Sequence, residues 1–250
     1  MTNCKTRIKL ATWNVAQQVS QSKWNELRIH LNRIASDLLV LTETQEGFDP
    51  GYENHFSSED GVGTDAGAGL HWASIWSNDS LERLKTSDNL YTLATRVMPQ
   101  NAEPFIVYAT VLPWLGSKWR DYPSTDGVAF QEALNLQKAD WLEIRTVYPD
   151  DELFVLGDFN QDLASFHYYG SKKNRLALEN ALLESGLIAL TAGENDPIAR
   201  PPSVCACIDH ICMLRESRWQ LTSTERWPDE EKPPKSLSDH FGVAVSLTAN

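Results

Sequence analysis

Cysteine, basic charge and long apolar runs are all scarce in this sequence. Four of its 250 residues are Cys, and three of those crowd into Cys205, Cys207 and Cys212. Cys205-Ala206-Cys207 lacks the two-residue gap of a zinc knuckle and no second such pair exists, which argues against a structural zinc site. Alternation puts Cys205 and Cys207 on one face of an expected strand and Cys212 on the other. They read as small buried residues in a reducing compartment, with a regulatory disulfide as the alternative. Lys and Arg together number 22 against 34 Asp and Glu, a net charge of −12 with pI near 4.9. That deficit disfavours tight, non-specific binding to nucleic-acid phosphates or anionic membranes. It leaves a phosphate ester open as substrate, because a bound divalent cation supplies positive charge locally. No apolar run approaches the length of a membrane span, and no apolar segment follows Lys5 and Arg7, so neither a span nor a secretory signal is expected. The expected location is cytoplasmic. Low-complexity runs, internal repeats and interior linkers are missing too, so a single α/β domain over 1–250 is expected.

Apolar strands and helical stripes interleave along the whole chain. Ile8, Leu10 and Thr12 alternate as one face of a strand, and Asn14 extends that face with an amide. Trp24, Leu27, Leu31 and Ile34 recur at helical spacing over 23–35, with Ser22 as expected N-cap. A short apolar strand follows at 38–41, and Glu43 continues its parity, completing a β-α-β crossover. The Gly-, Asp- and Ser-rich stretch 47–69 predicts a long loop. Strands are expected over 70–77, 90–97 and 105–112, with the charged segment 78–89 between the first two. After a loop over 114–127, 130–147 predicts the clearest helix, 153–156 a buried strand, and 174–185 a helix closed by Gly186. The last strands are expected over 208–214 and 243–247, with a stiff charged loop over 227–235 between them.

Several strands end in carboxylates and amides. In Leu156-Gly157-Asp158-Phe159-Asn160, Asp158 falls on the same face as Phe154 and Leu156, where a carboxylate is costly unless paired, hydrogen-bonded or bound to a metal. Asn14 and Glu43 repeat the pattern. Ile208-Asp209-His210-Ile211 and Ser238-Asp239-His240 add two further clusters. Oxygen groups such as Glu43, Asp239 and Asn14 suit Mg²⁺, and Mn²⁺ is an alternative. His240 can transfer protons or contact a phosphoryl oxygen if a carboxylate fixes its tautomer. Asp158 can orient or deprotonate water. These are the parts of metal-assisted phosphoester hydrolysis. His210 faces the other side of its strand and is expected to pack. Arg120 and Trp119, in the loop after the 105–112 strand, are candidates for contacting substrate, and Trp114 for walling a pocket. Glu46 is read as a solvated loop acid.

The set Thr12-Trp13-Asn14, Leu41-Thr42-Glu43, Gly157-Asp158-Phe159-Asn160, Asp209-His210 and Ser238-Asp239-His240 resembles, in order, the motifs of the endonuclease/exonuclease/phosphatase superfamily, the DNase I-like proteins. The resemblance implies a four-layer α/β/β/α sandwich, with two mixed sheets face to face and helices outside. It implies Glu43 as principal metal ligand with Asn14 beside it and Asp239 near the metal. It also implies Asp158 positioning or activating water, Asn160 bonding the phosphate or Asp158, and Asp209 pairing with a phosphate-contacting His240. The expected activity is Mg²⁺-dependent hydrolysis of a phosphodiester or phosphomonoester, whether nucleic acid, nucleotide or small phosphoester, with no protein partner. One position departs from the family. Val111 stands where a His or Tyr usually helps bind the phosphate or leaving group, and Tyr108, Trp119, Arg120 and His167 are the candidates to compensate. The alternative is a catalytically impaired member that acts by binding.

Overall fold

Strand alternation and helical spacing resolve into two packed sheets with helices on their outer faces. The computed structural model describes residues 7–62, 67–100, 102–200, 203–229 and 236–249; Cys4 and much of the charged 227–235 loop lie outside them. In chain order the elements are β1 (Arg7–Asn14), α1 (Gln21–Ile34), β2 (Leu38–Gln45), β3 (Asn54–Ser57), β4 (Leu70–Ser77), β5 (Ser80–Leu84), β6 (Thr92–Met98) and β7 (Phe105–Val111). Then come α2 (Val128–Val147), β8 (Glu152–Asp158), α3 (Lys172–Glu184), β9 (Leu187–Ala189), β10 (Asp209–Leu214), β11 (Trp219–Trp227) and β12 (Gly242–Ala249). One sheet runs β11-β12-β1-β2-β4-β3 and the other β5-β6-β7-β8-β10-β9. The pairs β1/β2 and β7/β8 are parallel, crossed over by α1 and α2, and the remaining pairs are antiparallel.

Three apolar layers hold the sandwich. Between the sheets, Leu10, Val40, Ile75 and Val245 meet Val107, Phe154, Leu156 and Ile211. Outside the first sheet, Leu27, Leu31 and Ile34 of α1 cover Trp13, Leu39 and Leu41. Outside the second, Phe130, Leu134, Trp141 and Ile144 of α2 and Leu178 and Leu182 of α3 cover Ile106, Tyr108, Leu153 and Val155. Every residue of β7 and β8 is buried, because both faces of these central strands are covered. This is the expected four-layer sandwich.

The four strands that the sequence pattern does not reveal, β3, β5, β9 and β11, are the four sheet edges. An edge strand pairs on one side only and buries little. Its pairing is therefore made by backbone, and its side chains carry weak alternation. Accordingly β3 lies in the expected 47–69 loop and β5 in the charged 78–89 segment. Helix α1 begins earlier than expected because Ser20, not Ser22, caps it, its hydroxyl accepting from the Lys23 N–H. Cys205 and Cys207 sit in an irregular segment rather than a strand, yet both enter the inter-sheet layer while Cys212 faces the helices. All three thiols are buried and free. No helix among the described residues is long and apolar enough to cross a membrane.

Candidate active site

The parallel pairing of β1 with β2 and of β7 with β8 brings the polar strand exits to one end of the sandwich. Asn14 closes β1 opposite Thr42, so Glu43 stands one residue further along the neighbouring strand. In the other sheet, antiparallel pairing sets Asp158 directly opposite Asp209. The final approach to β12 ties the sheets together. Ser238 Oγ donates to the Asn14 carbonyl at 2.7 Å and accepts the His240 N–H at 3.0 Å, while Trp13 Nε1 donates to the His240 carbonyl at 3.0 Å.

One network joins these groups. Asn14 Nδ2 donates both to Glu43 Oε1 at 2.9 Å and to Asp158 Oδ2 at 3.0 Å. The Asn14 Oδ1 is occupied by the Ala16 N–H at 2.9 Å. Glu43 Oε2 accepts from Gln17 Nε2 at 3.1 Å, a contact the sequence did not suggest. Asn160 holds Asp158 twice, through its N–H to Oδ1 at 2.9 Å and through Nδ2 to Oδ2 at 3.0 Å. The same Nδ2 reaches the Leu112 carbonyl at 2.9 Å. Asp209 Oδ2 lies 2.6 Å from His240 Nδ1, and Asp209 Oδ1 is buried with no hydrogen-bond partner among the described residues. Asp239 is different: it is exposed, and its carboxylate comes only within 3.9 Å of His240 Nε2.

The backbone is bent to make this arrangement. Glu43 and Asn160 both adopt left-handed conformations, with φ of 55° and 49°. That is a strained state for a glutamate, which the surrounding structure must enforce. Gly157 has φ 141°, and a Cβ there would lie 2.1 Å from the Thr110 carbonyl of the paired strand. Only glycine allows β8 to turn there and present Asp158.

Electrostatics follow from burial. Asp158 is buried, and loss of hydration pushes its carboxyl up to about 7. Attraction to His240 and the Asn14 bond oppose that rise, while the charges of Asp209 and Glu43 add to it. For His240, burial favours the neutral ring, but Asp209 and Asp158 together outweigh it and hold the imidazole protonated, its pKa raised to about 10. An acidic site that cannot comfortably ionise all its carboxylates is chemically suited to a cation. Among the described residues the tightest set of potential ligand atoms is Asp158, Asp209 and His240, within 4.8 Å of one another, rather than the expected Glu43, Asn14 and Asp239. The short His240–Asp209 bond already uses one atom of each residue.

His210 packs, as its parity suggested. It is fully buried against Phe159 and lies 3.0 Å from the Gln161 carbonyl and 3.2 Å from Thr191 Oγ1. Burial lowers its pKa. Glu46 is exposed. None of the four candidates to replace a group at Val111 occupies its place. Tyr108 turns to the helix side and donates to Asp140 at 2.8 Å. His167 lies on the surface beside Asp162 at 3.3 Å. Arg120 lies over the Trp119 ring and pairs with Asp88 at 3.5 Å, and Trp119 is itself buried beneath it. The group that sequence reasoning missed is Tyr169. Its phenol is raised by burial and by the nearby charges of Asp158 and Asp239, and bonds the Leu115 backbone. The loop that carries it is rigidly built: the buried Asp162 carboxylate accepts the Tyr168 and Tyr169 N–H groups at 3.0 and 2.7 Å, and Gln161 Nε2 donates to the Tyr169 carbonyl at 3.0 Å.

The sequence matches the model of the Endonuclease/Exonuclease/phosphatase family over residues 11–240. The chain belongs to this family. Its fold neighbours agree. An endonuclease/exonuclease/phosphatase from Beutenbergia cavernae DSM 12333 is similar at 16% identity and TM-score 0.69, covering 98% of this chain and 72% of that one. The 3′ phosphatase NExo from Neisseria bound to product DNA hairpin is similar at 15% identity and TM-score 0.65, covering 95% of this chain and 98% of its own. The human Nocturnin catalytic domain with bound sulfate anion is similar at 16% identity and TM-score 0.62, covering 99% and 97%. At such identities the likeness shows the fold alone. No curated protein sequence matches the chain.

Proposed function

We propose that this chain is one phosphoesterase domain that hydrolyses a phosphodiester or phosphomonoester with water, assisted by Mg²⁺ or Mn²⁺. The observation that carries the reading is the single network running from Glu43 through Asn14 to Asp158, with the Asp209–His240 pair opposite. Asp158, held by Asn160 and Asn14, orients a water and takes its proton; a carboxyl that ionises near 7 is well matched to that task. His240, kept cationic and fixed through Nδ1 by Asp209, leaves Nε2 to donate to a phosphoryl oxygen as charge develops there. Asn160 sets the position of Asp158 rather than gripping the phosphate directly.

The donor set fits a hard divalent cation: several oxygens, one of them the orphaned Asp209 Oδ1. Glu43 would hold the ion, with Asn14 fixing the Glu43 carboxylate and Asp239 available from the exposed side. When bound, such an ion neutralises charge on the phosphoryl oxygens. The test is a panel of plasmid DNA, single-stranded DNA, RNA and small phosphomono- and diesters at fixed Mg²⁺. Hydrolysis that is lost in both Asp158→Ala and His240→Ala supports the reading, and activity unchanged by both variants overturns it. The second reading, a family member that binds without cleaving, rests on Val111, and predicts no turnover of any substrate in the panel.

A further inference from the structure

Beside the network, the end of β7 and the loop after it form an aromatic corner with no part in the chemistry above. Val111, opposite Asp158 in the strand register, packs on Leu70 and Trp72. Trp72 lies 5.1 Å from Tyr91 and 6.2 Å from Trp114, ring centre to ring centre. Together with Trp119 and Lys118 these residues enclose a hollow of about 30 Å³, room for one water-sized group. Trp72 and Trp119 are 2% and 4% exposed, and the indole N–H of each finds no hydrogen-bond partner among the described residues. Two buried donors left without acceptors at one small hollow are costly, and an acceptor atom entering the hollow removes that cost. Trp114, by contrast, is 38% exposed and offers an open ring. Within a chain of net charge −12, this loop carries both Lys118 and Arg120.

We propose that this corner is a subsite for an unpaired nucleobase attached to the phosphate under attack. The base stacks on Trp114, its acceptor edge meets the Trp72 and Trp119 indoles, and Lys118 faces the flanking phosphate. Aromatic rings interleaved with cations are the usual means of holding single-stranded nucleic acid, whereas a paired base offers no free face. The path to the reacting group is short. Leu112 N–H donates to the Asp158 carbonyl at 2.9 Å and its carbonyl accepts from Asn160, so the strand leading to Trp114 is bonded to the catalytic loop. Val111 is small because a ring at that position would fill the corner.

This inference rests on the phosphoesterase reading for its substrate, so the experiment separates the two. Phosphorothioate-linked trimers containing 2-aminopurine, abasic trimers of equal charge, and 2-aminopurine nucleoside monophosphate are bound to the whole protein with Mg²⁺ present. Binding is read by 2-aminopurine quenching and by competition. Removing the base, or changing Trp114→Ala, is expected to weaken binding about 5- to 150-fold, the range for one stacked base. Trp114→Ala leaves abasic binding unchanged, and Trp114→Phe restores most of the loss. Weakening of trimer and monophosphate alike marks a nucleotide site, and weakening of the trimer alone marks a strand site; both support the subsite. Equal binding of base-bearing and abasic trimers, or no quenching at all, overturns it. Equal hydrolysis of unmodified abasic and base-bearing trimers also overturns the subsite while leaving the phosphoesterase standing. Base-dependent binding without hydrolysis of any ester does the reverse.

Discussion

Replacing Asp158 by asparagine should make the metal-free protein more stable at alkaline pH, and only there. A carboxyl that ionises at about 7 in the fold but at 3.8 when free binds its proton more tightly in the folded state. Its penalty is therefore absent below about pH 4, grows between 4 and 7, and is complete above 7. In full it costs on the order of 4 kcal/mol. Asparagine removes that cost but points an amide N–H₂ towards the Asn14 and Asn160 donors now served by Oδ2, a loss of about 1–3 kcal/mol. The net gain at pH 8.5 in EDTA is about 1–3 kcal/mol, or roughly 2–12 °C in Tm for a chain of this size. At pH 5 the folded wild type keeps its proton, so the gain shrinks to nothing or reverses. Adding Mg²⁺ at pH 8.5 should raise the wild-type Tm more than that of Asp158→Asn, since the ion relieves the same crowding. Thermal unfolding over this pH series is the assay. A Tm difference that is independent of pH, or a less stable variant at pH 8.5, would refute the electrostatic picture of the site.

Further predictions concern the neighbours of Asp158. Asp209→Asn should lower kcat by about 10²- to 10⁴-fold in steady-state assays, as imidazole orientation is lost. It should also flatten the stability profile of the metal-free protein: His240, raised to about 10, stabilises the fold fully below about 6.5 and loses that contribution as pH rises through 10. Gly157→Ala adds a strained φ to a backbone collision with Thr110, so denaturant unfolding should report a loss of roughly 2–6 kcal/mol. Tyr169→Phe should cut kcat by about 100-fold with little change in Tm, if its hydroxyl supplies the donor that Val111 does not. As a control, Tyr108→Phe leaves the buried Asp140 short of a donor and should cost about 1–3 kcal/mol in stability while leaving kcat unchanged.

What could be read from the chain alone depended on burial. β7 and β8 are covered on both faces, so their sequences are apolar throughout and their identity as strands is plain. In β3, β5, β9 and β11 the backbone does most of the pairing at a sheet edge, and side-chain pattern carries little trace of it. The same rule made the candidate site visible, since Asn14, Glu43 and Asp158 interrupt buried faces where hydrocarbon belongs. Their identities, order and chemical class were therefore settled by primary structure, as was the choice of glycine at 157.

Only the tertiary arrangement decided how those groups meet. Asn14 is 144 residues from Asp158 and 29 from Glu43, and it presents its amide nitrogen to both because two strands from different sheets end side by side. The same convergence closed off Tyr108 and Arg120 as substitutes for the group missing at Val111, and brought Tyr169 close enough to sense Asp158 and Asp239. Side-chain chemistry is a local property written residue by residue. Distance between residues far apart in sequence is set by sheet pairing and layer packing, which no single stretch of the chain encodes.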